Sequence, residues 1–286
     1  LSSRRPSALL ALRSLAPAAR IIFNNADLHF LREIRTARAQ GDTALLEQAR
    51  RTRTEEMDII NKVDVVLSYN DVEHSVIQAY SDGAAKVVKC PWVVDVPDTR
   101  PPLEGRSGLS FLGSYRHHPN AEGIIWFTRD ILPGVAARLQ TPPDLSIYGA
   151  SMTDEIKALE SDHVHPLGFV ANLSDVYDRH RVFVAPLRSG AGIKGKVLSA
   201  LAHGIPCVLT PTAAEGIGLR SGHDCFVAET PEQWADAIAR LMEDDDLWTE
   251  IADNSQKYMR SAYSFAQGRK HMRAAFEAAD LYNSLK

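Results

Sequence analysis

Short apolar runs, each the length of a buried strand, alternate along this chain with longer stretches of helical periodicity. The first run is Ile21-Ile22-Phe23, within a strand predicted over 20–24. A charged helical stretch is expected from about Leu28 to Asn61, with Leu45 and Leu46 among many arginines. Strands over 63–68 and 85–89 then flank a helix over 71–80. From Pro91 to Arg106 the pattern lapses into prolines and charges, as a linker would. Strands are next predicted over 109–113, 145–148, 163–169, 181–186, 206–210 and 225–227. Helices separate them, opening near Pro119, near Ser174 and before Val197, Leu198 and Leu201. Three closing helices start near Pro231, Leu247 and Phe265. Strands that alternate with helices pair in parallel through right-handed crossovers, so an α/β fold with a doubly wound parallel sheet is expected. The expected divisions are a smaller α/β domain over 1–98, a linker over 99–106, a Rossmann-like domain over 107–262 and a terminal helix over 263–286.

Composition narrows the function. With 36 acidic against 32 basic side chains, the net charge of −4 lacks the basic excess of a general nucleic-acid binder. Cys90, Cys207 and Cys225 form no CxxC pair, which excludes a cysteine-rich zinc module or a disulfide framework. They fit a reducing compartment, so a cytoplasmic location is expected. No apolar run approaches the length of a membrane span. The first residue is Leu1 rather than Met, as expected of a chain processed or cut from a longer polypeptide. No acid precedes Asp27, whereas Arg4, Arg5 and Arg13 do. The apolar stretch before Arg13 is too short for a signal peptide. It reads either as a surface helix with solvated arginines or as a basic helix lying on an anionic membrane, peripheral to its inner face.

The most informative segment is Arg188-Ser189-Gly190-Ala191-Gly192-Ile193-Lys194-Gly195-Lys196-Val197, which leaves a strand and opens a helix. Its glycines permit close backbone approach and positive φ. Free amides at the helix start favour an anion, and Arg188, Lys194 and Lys196 add charge. The rival reading is a tight turn whose lysines face water. Gly190, Gly192 and Gly195 satisfy GxGxxG, yet they sit late in the sheet, and the ribose-binding acid about 20 residues on is missing. Gly190 to Lys196 also reads GxxxxGK, but Val197 replaces the hydroxyl that would hold magnesium in a P-loop. His117, His118 and His203 have no metal-ligand spacing, so no metal is expected.

Taken together, Phe111-Leu112-Gly113-Ser114, Pro119-Asn120, Leu167-Gly168-Phe169-Val170, Ala185-Pro186-Leu187-Arg188, the glycine turn, the run from Leu198 to Pro206 and Ala214-Glu215-Gly216 resemble group 1 glycosyltransferases (family 4, GT-B fold). The resemblance covers about 105–265, more weakly 20–96. It implies a retaining transferase that uses a nucleoside-diphosphate sugar as substrate, with no cofactor and no bound metal, and a carbohydrate or lipid-linked acceptor. The C-terminal domain would hold the donor, the shortened N-terminal one the acceptor, and the terminal helix would pack back toward the latter. Gly113, Ser114, Arg116, Arg188, Gly190, Gly192 and Lys194 would surround the diphosphate. Gly168, Phe169, Val170 and Ser199 would face the nucleoside. Asp27, His29 and Glu215 are the catalytic candidates; as alternatives, Asp27 caps the following helix and Glu215 caps a turn. Where the family commonly carries two glutamates with seven residues between them, this chain has Ala191 and Ser199. That leaves a second reading open, a catalytically silent nucleotide-binding or structural module of a larger protein. A nucleotide-sugar epimerase of related fold is a third.

Overall fold

A computed structural model describes residues 6–281, so Arg4, Arg5 and 282–286 lie outside the described residues. The chain forms two compact units: Leu1–Val93 with Ser189–Ile193 and Phe265–Lys286, and Val94–Arg188 with Lys194–Ser264.

The first unit runs α1 (Pro6–Leu15), β1 (Ile22–Asn25), α2 (His29–Gln40), α3 (Thr43–Ile60), β2 (Val65–Ser68), α4 (Asp71–Tyr80) and β3 (Val87–Lys89). Its strands form a parallel sheet in the order β1-β2-β3, with Asn25 opposite Ser68 and Ser68 opposite Lys89. Phe23 and Val66 face one core with Leu9, Phe30, Met57, Ile60 and Ile77. The helix expected over 28–61 is two helices. Gly41 takes a left-handed conformation (φ 66°) that ends α2, and Asp42 starts α3 by accepting from the Leu45 amide at 2.9 Å. Arg13 of α1 is not simply solvated, since it pairs with Asp64 at 2.8 Å.

The second unit runs β4 (Leu109–Leu112), α5 (His118–Trp126), a π-helical turn (Phe127–Ile131), α6 (Leu132–Ala136), β5 (Leu145–Tyr148), α7 (Asp154–Lys157), β6 (Val164–Gly168), α8 (Ser174–Tyr177), β7 (Val182–Ala185), α9 (Gly195–Ala202), β8 (Cys207–Leu209), α10 (Pro211–Ala214), β9 (Phe226–Val227), α11 (Pro231–Glu243) and α12 (Asp245–Ala262). The last helix, α13 (Phe265–Ala278), belongs to the first unit, where Ala275 and Ala279 pack on Val65, Leu67 and Cys90 across the other sheet face. The second sheet is parallel with order β6-β5-β4-β7-β8-β9. The order in which strands are added therefore reverses between β4 and β7, the switch point beside which such sheets bind ligands. Phe111, Phe127, Val184, Trp234 and Ile238 are fully buried in the core beneath it.

From Val94 onward the proline-rich segment groups with the second unit. Arg106 is buried, donates to the Tyr177 (2.6 Å) and His180 (3.2 Å) carbonyls, and lies 5.2 Å from the Trp248 ring centroid. Its guanidinium thereby satisfies the Tyr177 carbonyl that ends α8 and the His180 carbonyl in the turn beyond it.

Glycine contacts bring the carboxyl ends of β4 and β5 together. A Cβ at Gly149 would fall 1.6 Å from the Gly113 carbonyl oxygen, and Gly149 sits at φ +147°. Gly149→Ala is therefore expected to destabilise the protein by about 1–3 kcal/mol or more, measured by urea unfolding.

Candidate functional site

At the carboxyl ends of β4 and β5 the second unit opens a cavity of about 340 Å³ lined by Gly113, Ser114, Gly149, Phe169, Val170 and Lys196, among others. It unites four residues that sequence reasoning divided between diphosphate and nucleoside: Gly113, Ser114, Phe169 and Val170. Gly168, just before them, turns the chain out of β6 at φ +79°. Phe169 is 76% exposed, unusual for an aromatic side chain, so its ring face is available at the cavity mouth.

Lys196 supplies the cavity's positive charge. The residue as a whole is half-buried, but its Nζ is packed in, donating to Asn120 Oδ1 and lying 4.8 Å from the Phe111 ring centroid. Burial pushes its ammonium pKa down to about 7. Asn120 in turn donates from Nδ2 to the Ser114 carbonyl at 2.7 Å. One amide therefore couples the β4–α5 loop to the lysine, which gives Pro119-Asn120 a physical role.

The other predicted donor-side residues are spread out. Lys194 is buried at the N-cap of α9, where its carbonyl accepts from the Val197 amide at 2.9 Å. Ser199 is half-buried on α9. Arg116 is exposed and donates to Ser151 Oγ at 3.1 Å. Arg188 lines a different depression, of about 370 Å³, with His118, Glu122, Trp126 and Arg129. Its guanidinium is 5.3 Å from the Trp126 ring centroid and 3.9 Å from Glu122. Glu215 is half-buried and directly follows α10, whose N-cap is Thr210.

Gly190 and Gly192 group with the first unit. Both have positive φ, at +129° and +72°, as that turn requires. The Gly190 carbonyl accepts from Arg35 Nη1 at 3.2 Å, and a Cβ on Gly192 would lie 3.2 Å from Asp27 Cβ. Asp27 and the glycine turn are thus neighbours although 165 positions separate Asp27 from Gly192.

Asp27 is not the cap of α2. Leu28 holds the N-cap position without a side-chain bond, and Asp27 pairs with Arg32. The helix start is satisfied by two buried glutamates that sequence reasoning missed. Glu56 accepts from the amides of His29 (3.0 Å) and Phe30 (3.1 Å), and Glu73 accepts from that of Leu28 (3.3 Å). Carboxylates at a helix N-terminus are also favoured by its dipole. Glu56 further holds His29 Nδ1 at 2.8 Å. A carboxylate only accepts, so Nδ1 carries the proton and Nε2 is left as the basic atom, 3.8 Å from Asp27 Oδ1. A histidine oriented by a buried carboxylate is the arrangement of a general base. Among the described residues no group of three His, Cys, Asp or Glu side chains is placed to hold a metal ion, and no helix is long and apolar enough to cross a membrane.

Residues 106–244 match the profile of the family described as Glycosyl transferases group 1. A curated relative, the "Uncharacterized 44.6 kDa protein in cps region" of Klebsiella pneumoniae, is 25% identical over 164 residues, covering 54% of this chain and 42% of its own length. Solved structures similar to the chain include HepE of Anabaena in complex with UDP (TM-score 0.71, 13% identity, 95% of this chain and 76% of that one). Sucrose-phosphate synthase of Thermosynechococcus elongatus gives 0.66 at 14% identity, over 97% and 71% of the two chains. TarM of S. aureus, solved with UDP and a GlcNAc-glycerol, gives 0.65 at 13% identity, over 79% of this chain and 46% of TarM. The chain thus spans less than half the length of the Klebsiella relative and of TarM. At these identities the structural likeness is one of fold, and that fold is GT-B.

Proposed function

We propose, from the match of residues 106–244 to the profile of the group 1 glycosyl transferases, that this chain moves a sugar from a nucleoside diphosphate to an acceptor hydroxyl, with retention at the anomeric carbon. The observation that carries the reading is the cavity beside the β4–β7 switch point, where Lys196 meets Gly113, Ser114, Phe169 and Val170. In the reaction the bond from the anomeric carbon to the diphosphate breaks, and the bond to the acceptor oxygen forms on the same face that the diphosphate leaves, as retention in one step requires. Charge grows on the departing diphosphate, and the Lys196 ammonium stabilises it more than it does the bound donor. Phe169 and Val170, in the same lining, border the nucleoside. Within the first unit, Glu56 fixes the His29 ring so that Nε2 can accept a proton, with Asp27 beside it, which makes His29 the candidate base toward an acceptor hydroxyl. The donor enters as substrate, without a metal or other cofactor, and the acceptor is a carbohydrate or a lipid-linked one.

One observation favours a second reading, a module that binds nucleotide without turnover: Ala191 and Ser199 stand where paired glutamates are common. Two measurements separate the two readings. Thermal-shift screening of UDP, GDP and dTDP is expected to reveal one stabilising nucleotide, by about 2.7 kcal/mol at a hundredfold excess over Kd. UDP is tried first because HepE and TarM were solved with it. Slow release of free sugar from the matching nucleotide-sugar then marks an enzyme, whereas stabilisation without any hydrolysis or transfer marks the silent module.

A further inference from the structure

A cavity of the first unit lies away from the candidate site residues used so far. It measures about 540 Å³, within the range of about 300–1,000 Å³ usual for small-molecule sites. It opens beyond the carboxyl ends of β2 and β3, and its lining includes Tyr69, Cys90, Trp92, Phe265, Arg269 and Met272. Parallel sheets present ligands at this edge.

The walls are almost wholly apolar. Trp92 and Phe265 are 47% and 56% exposed, two large hydrophobic side chains left open to solvent around one hollow. Exposed apolar surface gathered at a concavity marks a binding site rather than a random surface position. The Tyr69 and Trp92 rings pack at 5.8 Å between centroids. The Tyr69 hydroxyl already donates to Asn24 Oδ1 at 2.7 Å. Burial raises the Cys90 thiol pKa, so Cys90 presents a neutral surface. A sugar placed here would lose hydration at several hydroxyls and find almost no partners, which disfavours carbohydrate. At the rim stands Arg269, exposed and with no ion pair among the described residues. Apolar walls under a cationic rim are complementary to an amphiphile with an anionic head, such as a hydrocarbon chain ending in a phosphate.

We propose that this cavity binds the aliphatic chain of an amphiphilic phosphate, with Trp92, Phe265 and Met272 against the chain and Arg269 on the headgroup. That such a molecule is the sugar acceptor rests on the transferase reading above; that it binds does not. The test is calorimetry and Trp fluorescence on the full chain with decyl phosphate, kept below its micellar concentration, against decanol and inorganic phosphate. Decyl phosphate is expected to bind at least about tenfold more tightly than either half-molecule. Trp92→Ala is expected to weaken decyl phosphate and decanol alike by about tenfold. Arg269→Glu should weaken decyl phosphate by about tenfold and leave decanol unchanged. Both side chains are partly or fully exposed, so the variants are expected to fold, and circular dichroism verifies this. Equal affinity for decyl phosphate and inorganic phosphate, or an unchanged decyl phosphate affinity in Trp92→Ala, overturns the proposal. Because no transfer is measured, failure here leaves the transferase reading standing, and loss of transfer activity leaves this site untouched.

Discussion

Replacing Lys196 with methionine is expected to weaken nucleoside-diphosphate binding by about 1.5–3 kcal/mol, the worth of a hydrogen bond to a charged group. Calorimetry with the stabilising nucleotide measures it, and an unchanged affinity would remove this cavity from consideration as the donor pocket. The same variant has a pH signature. Burial holds the free protein's ammonium near pKa 7, so raising pH above 7 discharges it before the ligand arrives. Affinity should therefore fall with rising pH by up to about tenfold per unit, until the pKa reached in the complex is passed. Stability without ligand should move the other way. An unfolded lysine keeps its proton to about pH 10.4, so between about 7 and 10 the unfolded state binds more protons and stability rises with pH. Lys196→Met should flatten both slopes relative to the parent protein. Asn120→Ala, which frees the ammonium from its amide partner, should alter the affinity and leave a pH dependence in place.

Glu56→Ala is expected to have the largest effect in the first unit. It strands the buried Phe30 amide and the half-buried His29 amide and releases the His29 ring, whose own side chain is partly open to solvent. Unpaired buried donors cost about 1–3 kcal/mol each, partly relieved by water, so a loss of about 2–4 kcal/mol is expected in urea unfolding. Glu56→Gln keeps an acceptor and should recover part of the stability. If His29 is the base, however, its pH–rate profile should still be displaced in Glu56→Gln, because an amide no longer stabilises the imidazolium. A variant that regained stability together with an unaltered profile would reduce Glu56 to a helix cap.

How much of this was legible beforehand follows from the range of each interaction. The strands of the second unit could be read because short apolar runs end in Gly, Pro or Thr, signals that act within a few residues. The break at Gly41 was equally local but lay inside a long stretch of good helix formers, and it went unread. Glu56 and Glu73 could not be found that way. Their partners are 27 and 45 positions away, and in the sequence each is one more acid on an amphipathic helix. The glycine turn showed its cations but not their fates. Lys194 and Lys196 are two positions apart, and only tertiary packing decides that one is buried at the cap of α9 while the other meets Asn120 in a cavity. Arg188 has the same lesson reversed, since an arginine beside an anion-binding turn rests here over Trp126.

The placement of α13 has a consequence for how the polypeptide is made. One face of the first unit's sheet is covered by Ala275 and Ala279, which leave the ribosome after the whole of the second unit. Domains generally acquire structure in the order of synthesis, yet here the earliest strands must wait with Val65 and Leu67 unshielded until the last helix emerges. A nascent chain halted near Ser264 should therefore carry a finished second unit beside a sticky, chaperone-dependent first one.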